Sequence, residues 1–276
     1  MSLFVFCVIL FSAALHAVWN AIVKGGSDTL LTTILVAASG AAVGIVCLPF
    51  LPPMAPAAWP YLAISGVLEI AYYTLVASAY RHADMSRAYP LMRGAPPLLV
   101  ALVSSLALGM AISTAGWIGV ALVSVGLLSL TLGGTGGNGR GMAFAMVNAL
   151  VIASYTLVDG FGVRASGSPA AYTMWIFILT GVPLAAWALV TRRDFPAYAR
   201  RNWHLGLAGG LGTLISYGLV LWAMTQAPIP LVAALRETSI LFGTLIAALV
   251  LKERVTRTRI VAVLIIAAGA TVLKLA

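Results

Sequence analysis

Five ionisable side chains stand deep inside apolar sequence, and each asks for a chemical reason, because charge is costly there. Glu69 lies at the centre of one apolar run, Arg93 and Arg236 lie about one helical turn from the middle of theirs, Glu237 follows Arg236, and His16 occupies the first run. With His16 neutral, the set carries two positive and two negative charges and can neutralise itself. These residues could form ion pairs that hold helices together. They could instead line an aqueous cavity where arginine meets a carboxylate and Glu69 or His16 passes a proton.

Helical phase places polar atoms and rings on common stripes. Ser12, His16, Trp19 and Asn20 share a face of the first run; Ser65, Glu69, Tyr72 and Tyr73 share one in the third; Asn148, Tyr155 and Asp159 share one in the sixth. Tyr89 precedes Arg93 by one turn, and Tyr217 and Trp222 lie in the eighth run. The substrate-binding set expected from these stripes is His16, Trp19, Asn20, Glu69, Tyr72, Tyr73, Tyr89, Arg93, Tyr155, Tyr217, Arg236 and Glu237. Aromatic walls with a few charged points suit a small amphipathic organic solute better than a bare ion. Trp59, Tyr61, Trp117 and Trp203 fall at run ends, where interfacial rings belong.

The elements that must position these residues follow from composition. The chain has 276 residues, 62% of them hydrophobic and 8% charged, which excludes a soluble globular protein. Apolar runs cover roughly residues 3 to 23, 31 to 51, 57 to 79, 86 to 108, 114 to 132, 141 to 161, 170 to 190, 204 to 224, 229 to 251 and 257 to 275. Runs of this length in lipid must be helical, and period-two alternation is absent, so the class is all-α integral membrane with ten transmembrane helices. The net charge of +9 sits in short loops and not on a solvated face, which argues against nucleic acid. Cys7 and Cys47 match no metal or redox spacing and read as small core residues. No positive residue precedes the first run and Lys24 follows it, so it reads as a retained helix and not a signal peptide.

Twelve basic residues fall after odd-numbered runs: Lys24, Arg81, Arg87, Arg140, Arg192, Arg193, Arg200, Arg201, Lys252, Arg254, Arg257 and Arg259. Arg164 and Lys274 fall on the other side. This asymmetry puts the odd connections in the cytoplasm and both termini outside a cell (inner) membrane.

A glycine-rich stretch from Gly133 to Gly141 separates five runs from five, giving a first repeat over 1–132, a linker over 133–140 and a second repeat over 141–276. At a shift of 144 residues, Tyr73, Leu75, Val76, Ala79, Ala83 and Leu91 match Tyr217, Leu219, Val220, Ala223, Ala227 and Leu235. Five is odd, so a duplicated second half crosses the membrane in the opposite sense. Two inverted five-helix repeats are the architecture of secondary transporters, with the site near the midplane. Pro90, Pro96, Pro97 and Pro183 fall inside runs and permit bends. No metal-binding helix, nucleotide-binding glycine loop or nucleophile–base set is present, so neither an enzyme nor a cofactor is expected.

The segments ALHAVWNAIVKG, with Trp19, Asn20 and Lys24, and VLKERVTRTRIVAVLIIAAGATVL, with Glu253 before a short basic loop, resemble the ten-helix EamA-type branch of the drug/metabolite transporter superfamily. In the first half, LGMAISTAGWIGVAL has Met110 where many members carry Glu. The resemblance implies an alternating-access carrier and, as substrate class, amino acids and related metabolites. The expectation is therefore an exporter of amino-acid-like solutes, uniporter or proton antiporter, monomer or homodimer, in contact with the lipid bilayer. The alternatives are a carrier of phosphorylated or nucleotide-linked sugars, and a non-transporting membrane scaffold or lipid-modifying enzyme.

Overall fold

Apolar segments in a solvent without hydrogen-bonding groups must satisfy their backbone internally. The computed structural model describes residues 1–133, 139–250, 252 and 255–276, with residues 73, 77, 85, 86, 132 and 133 in backbone only, and among these there is no strand. The helices are α1 (Leu3–Gly25), α2 (Thr29–Cys47), α3 (Trp59–His82), α4 (Met85–Leu102), α5 (Thr114–Ser129), α6 (Gly139–Ser166), α7 (Pro169–Thr191), α8 (Phe195–Gln226), α9 (Ile229–Arg236), α10 (Ser239–Leu249) and α11 (Arg257–Leu275). Ser2, Asp28, Ser113 and Thr256 cap α1, α2, α5 and α11 by accepting from N–H groups of the first turn. Among the described residues, nine stretches, with α9 and α10 counted together, are long and apolar enough to cross a membrane, and α5 is a shorter apolar helix. The chain is a multi-pass membrane protein. Residues 134–138 of the glycine-rich linker, and Glu253, lie outside the described residues.

The ninth apolar run is not one helix but two. At Glu237 and Thr238 the hydrogen bonding tightens: the Glu237 N–H donates to Ala234 O and the Thr238 N–H to Leu235 O, each spanning three residues instead of four. The Thr238 hydroxyl donates to Leu235 O as well. Arg236 stands at the C-terminal end of α9 and Glu237 just before the N-terminus of α10, where each charge complements a half-helix dipole. In α4, Pro96 and Pro97 remove the donors that the Met92 and Arg93 carbonyls would otherwise meet, and the helix ends in a π turn over Val103–Ala107. Helix α8 bends at Asn202 (φ −113°, ψ 18°), close to where the apolar run begins.

Helix α1 packs on α8 and α10, α6 on α3 and α4, α2 on α7 and α8, and α5 on α11. Small residues let two of these pairs approach closely. A Cβ on Gly210 would stand 2.8 Å from Gly40 N, and one on Gly269 would stand 2.9 Å from Val123 N and 3.0 Å from Gly119 O. Val5, Ile9, Tyr172, Val220, Leu221 and Met224 bury together where α1 and α7 begin and α8 ends, closing that side of the bundle. Cys7 is exposed on α1 and Cys47 half-buried, so the core role expected of the cysteines is not seen at Cys7, which points out of the bundle.

Candidate functional site

The helices enclose a cavity of about 200 Å³. Helix α1 supplies His16, Trp19 and Asn20; α3 supplies Glu69 and Tyr72; α4 supplies Tyr89 and Arg93; α6 supplies Tyr155. From the second half come Phe177 and Thr180 of α7, Thr213 and Tyr217 of α8, and Arg236 of α9, while α2 adds Thr33. Ten of the twelve residues expected to bind substrate therefore border one space. Of the others, Glu237 lies behind the wall, and the side chain of Tyr73 is outside the described residues. Trp222 does not reach the cavity: its ring meets Phe4 edge-on at 5.9 Å. Ser12 is also withdrawn, its hydroxyl donating to Ser216 O at 2.7 Å while the Ser216 hydroxyl donates to Ser12 O at 2.9 Å.

The charged groups divide into two sets. Arg93 Nη2 lies 2.9 Å from Glu237 Oε1, a pair largely withdrawn from solvent and closed among Pro96, Pro97 and Thr156. Arg236 has no carboxylate within ion-pair distance among the described residues; its guanidinium stands over the Tyr217 ring at 4.8 Å, and its Nε is buried without a partner. The Tyr217 hydroxyl donates to Asp159 Oδ2 and the Tyr172 hydroxyl to Asp159 Oδ1, the second at 3.1 Å. Asp159 is fully buried and does not border the cavity. Glu69 is held by the Thr180 hydroxyl at 2.5 Å.

The aromatic walls make edge-to-face contacts, the favoured geometry for rings. Tyr72 meets Tyr155 at 6.2 Å, His16 meets Trp19 at 5.2 Å, and Phe177 meets Tyr217 at 6.5 Å. Trp19 Nε1 is buried without a partner among the described residues. The space thus borders two guanidiniums, that of Arg93 paired with Glu237 and that of Arg236 not, together with one carboxyl group and several ring faces. Among the described residues no group of three His, Cys, Asp or Glu side chains could hold a metal ion.

Residues 139–275 match the model of the EamA-like transporter family. The chain belongs to that family. EamA-like membership makes it a membrane transporter of the drug/metabolite superfamily. A solved crystal structure of another protein resembles it with a TM-score of 0.74 at 18% identity, covering 99% of this chain and 96% of that one, a likeness of fold. No curated protein matches the chain.

Within this EamA-like bundle, sequence reasoning placed Asp159 on a polar stripe but left it out of the substrate-binding set. Its two tyrosine partners come from α7 and α8, 13 and 58 residues away, and no local pattern announces them. Thr180, Thr213 and Phe177 border the cavity without any charge nearby in sequence to single them out.

Proposed function

We propose that the chain is an alternating-access exporter of amino acids or similar small amphipathic metabolites, working across the cell (inner) membrane with its odd connections in the cytoplasm. The observation that carries this reading is the cavity itself, in which a guanidinium, a carboxyl group and aromatic faces from both halves converge. Arg236 has free donors for a substrate carboxylate, Glu69 faces it as a site for a positive group or a proton, and the tyrosines receive the side chain. Arg93 acts through its bond to Glu237.

The domain reading, two inverted repeats over 1–132 and 141–276, is supported by the packing. Exchanging the halves turns the α3–α6 contact into α8–α1 and the α4–α6 contact into α9–α10 on α1, while α2–α7 and α5–α11 map onto themselves. Two-fold exchange of this kind is what alternating access requires. Trp19, Asn20, Thr33 and Tyr89 lie toward the helix ends that carry the α1–α2 and α3–α4 connections, and the buried cluster around Ile9 and Leu221 lies at the opposite ends. That supports a conformation open to the side of the odd connections. A phosphorylated-sugar carrier is disfavoured because Arg93 is engaged by Glu237, leaving a single free guanidinium for phosphate.

Purified protein in liposomes should move radiolabelled amino acids, and Arg93→Ala and Glu69→Gln should each slow that flux at least tenfold. Unchanged flux in both variants would overturn the site, and absence of flux for every amino acid would overturn the substrate class. Cysteine at position 155 should react with a water-soluble thiol reagent in membranes; protection there would favour a scaffold.

A further inference from the structure

Arg164, in the last turn of α6, spends its guanidinium on the far end of α8: Nε donates to the Met224 carbonyl at 2.7 Å and Nη2 to the Ala227 carbonyl at 2.9 Å. The last carbonyls of a helix lack partners within it, and Pro228 has no N–H to offer Met224 O. One planar fork thus closes α6 onto α8 beside the buried cluster of Ile9, Leu221 and Met224, on the side where the cavity is shut.

The first half of the chain repeats this construction. At a shift of 144 residues, Met224 and Ala227 correspond to Tyr80 and Ala83. The two turns have one shape: Ala227 (φ −143°, ψ 163°) matches Ala83 (φ −145°, ψ 151°), and Pro228 (φ −58°, ψ 129°) matches Asp84 (φ −64°, ψ 140°). Arg164 corresponds to Lys24 at a shift of 140, which also matches Val163 with Val23, the N-cap Ser168 with Asp28 and the first residue of α7 with that of α2. Lys24 is therefore placed to do at the end of α3 what Arg164 does at the end of α8, since an ammonium carries three N–H donors for carbonyls. Asp84, which forms no ion pair among the described residues, adds a carboxylate there.

The two halves differ in what is closed. Helix α6 packs on α8, but among the described residues α1 has no such packing on α3. Met224 is 2% exposed, whereas Tyr80 is 36% exposed and stands within electrostatic reach of Tyr72 and Tyr89 in the cavity wall.

We propose that Arg164 and Lys24 are alternating latches. Arg164 holds α6 against α8 while the cavity is open to the side of the odd connections; when the bundle switches, Arg164 lets go and Lys24 seats on Asp84 and the Tyr80 and Ala83 carbonyls. The proposal rests on the two-repeat transport reading and deepens it by naming the side chains that hold each state. Only one latch is closed at a time, so removing one tilts the population toward the state that the other holds.

The test uses full-length protein freed of its own thiols by Cys7→Ala and Cys47→Ala and carrying either Met224→Cys or Tyr80→Cys. It is treated in detergent, without solute, with a water-soluble maleimide. With both latches intact, the thiol at 80 should react and the thiol at 224 should be protected. Arg164→Gln should speed labelling at 224 about tenfold or more and slow it at 80. Adding Lys24→Gln should largely reverse both changes, because neither state then keeps its latch; a merely structural role for Arg164 would loosen position 224 whatever stands at 24. Protection at 224 in Arg164→Gln overturns the proposal, and so does labelling that Lys24→Gln fails to reverse. Should Arg164→Gln fail to fold, Arg164→Lys, which keeps the charge and loses the planar fork, should raise labelling at 224 about threefold, and no rise overturns the proposal equally. No flux enters the measurement, so a protein that labels as expected yet moves no amino acid would sink the substrate reading alone.

Discussion

Arg93 on α4 reaches Glu237 at the break between α9 and α10, joining the helix with three internal prolines to the helix that is cut in two. Both side chains are largely buried, 13% and 9% exposed, so removing either partner strands the other as an uncompensated charge. Such losses cost about 3–5 kcal/mol, whereas replacing both partners by apolar residues costs far less. Arg93→Leu and Glu237→Leu should each lower the unfolding midpoint of the detergent-solubilised protein strongly, and the double variant should recover most of the loss. Additive losses would show that the pair is not coupled.

Tyr217 performs two tasks, its hydroxyl donating to Asp159 and its ring lying beneath Arg236. Tyr217→Phe removes the first and keeps the second. Leaving a buried carboxyl oxygen without its donor should cost about 1–3 kcal/mol in unfolding free energy. Tyr217→Leu removes both tasks and should cost measurably more; equal costs would mean that the ring contributes nothing over Arg236.

Gly210 has no room for a side chain, since a Cβ there would press on Gly40 N and Ser39 Cβ, each at 2.8 Å. Gly210→Ala should destabilise by about 1–3 kcal/mol. Gly25, at the end of α1, has nothing within 4 Å of an added Cβ, so Gly25→Ala should be neutral or mildly stabilising and serves as the control. Thermal unfolding of the two variants side by side decides.

Outside the spans, Arg192 donates to both Asp194 carboxyl oxygens, and these bonds together with its charge hold the Asp194 carboxyl below the ordinary carboxylate range. A depressed carboxyl contributes stability that is fully present above its unfolded value and lost as pH falls through its lowered folded value. Acidification should therefore raise amide exchange in the α7–α8 turn, and Asp194→Asn should abolish that dependence. Because the group is fully exposed, its removal at neutral pH should leave the unfolding midpoint nearly unchanged.

The helical runs were legible because lipid admits few alternatives to a helix. The cavity residues were legible because Glu69, Arg93 and Arg236 stand out against apolar surroundings and because rings such as Tyr72 and Tyr155 share their helical faces. The cut at Glu237 was not legible. The run from 229 to 251 contains only one proline, Pro230, at the first turn where a helix tolerates it, and the break lies at a charge pair closed by a residue more than a hundred positions away. Arg93 had three carboxyl groups to choose from in the apolar runs, Glu69, Asp159 and Glu237, and sequence spacing cannot rank partners brought together by tertiary packing. The same holds for Asp159, whose phenolic donors come from two other helices.

Where Gly210 lies against Gly40 and Gly269 against Gly119, the main chains of paired helices come close. The hollows beside them are occupied: Leu35 and Val36 of α2 press on Gly206 and Gly209 of α8, and Leu273 and Ile266 of α11 press on Gly119 and Gly126 of α5. Side chains seated in this way must be lifted from their sockets before one element can travel past the other. The glycines therefore act as sockets, and sliding along α2–α8 or α5–α11 meets a catch at each of them.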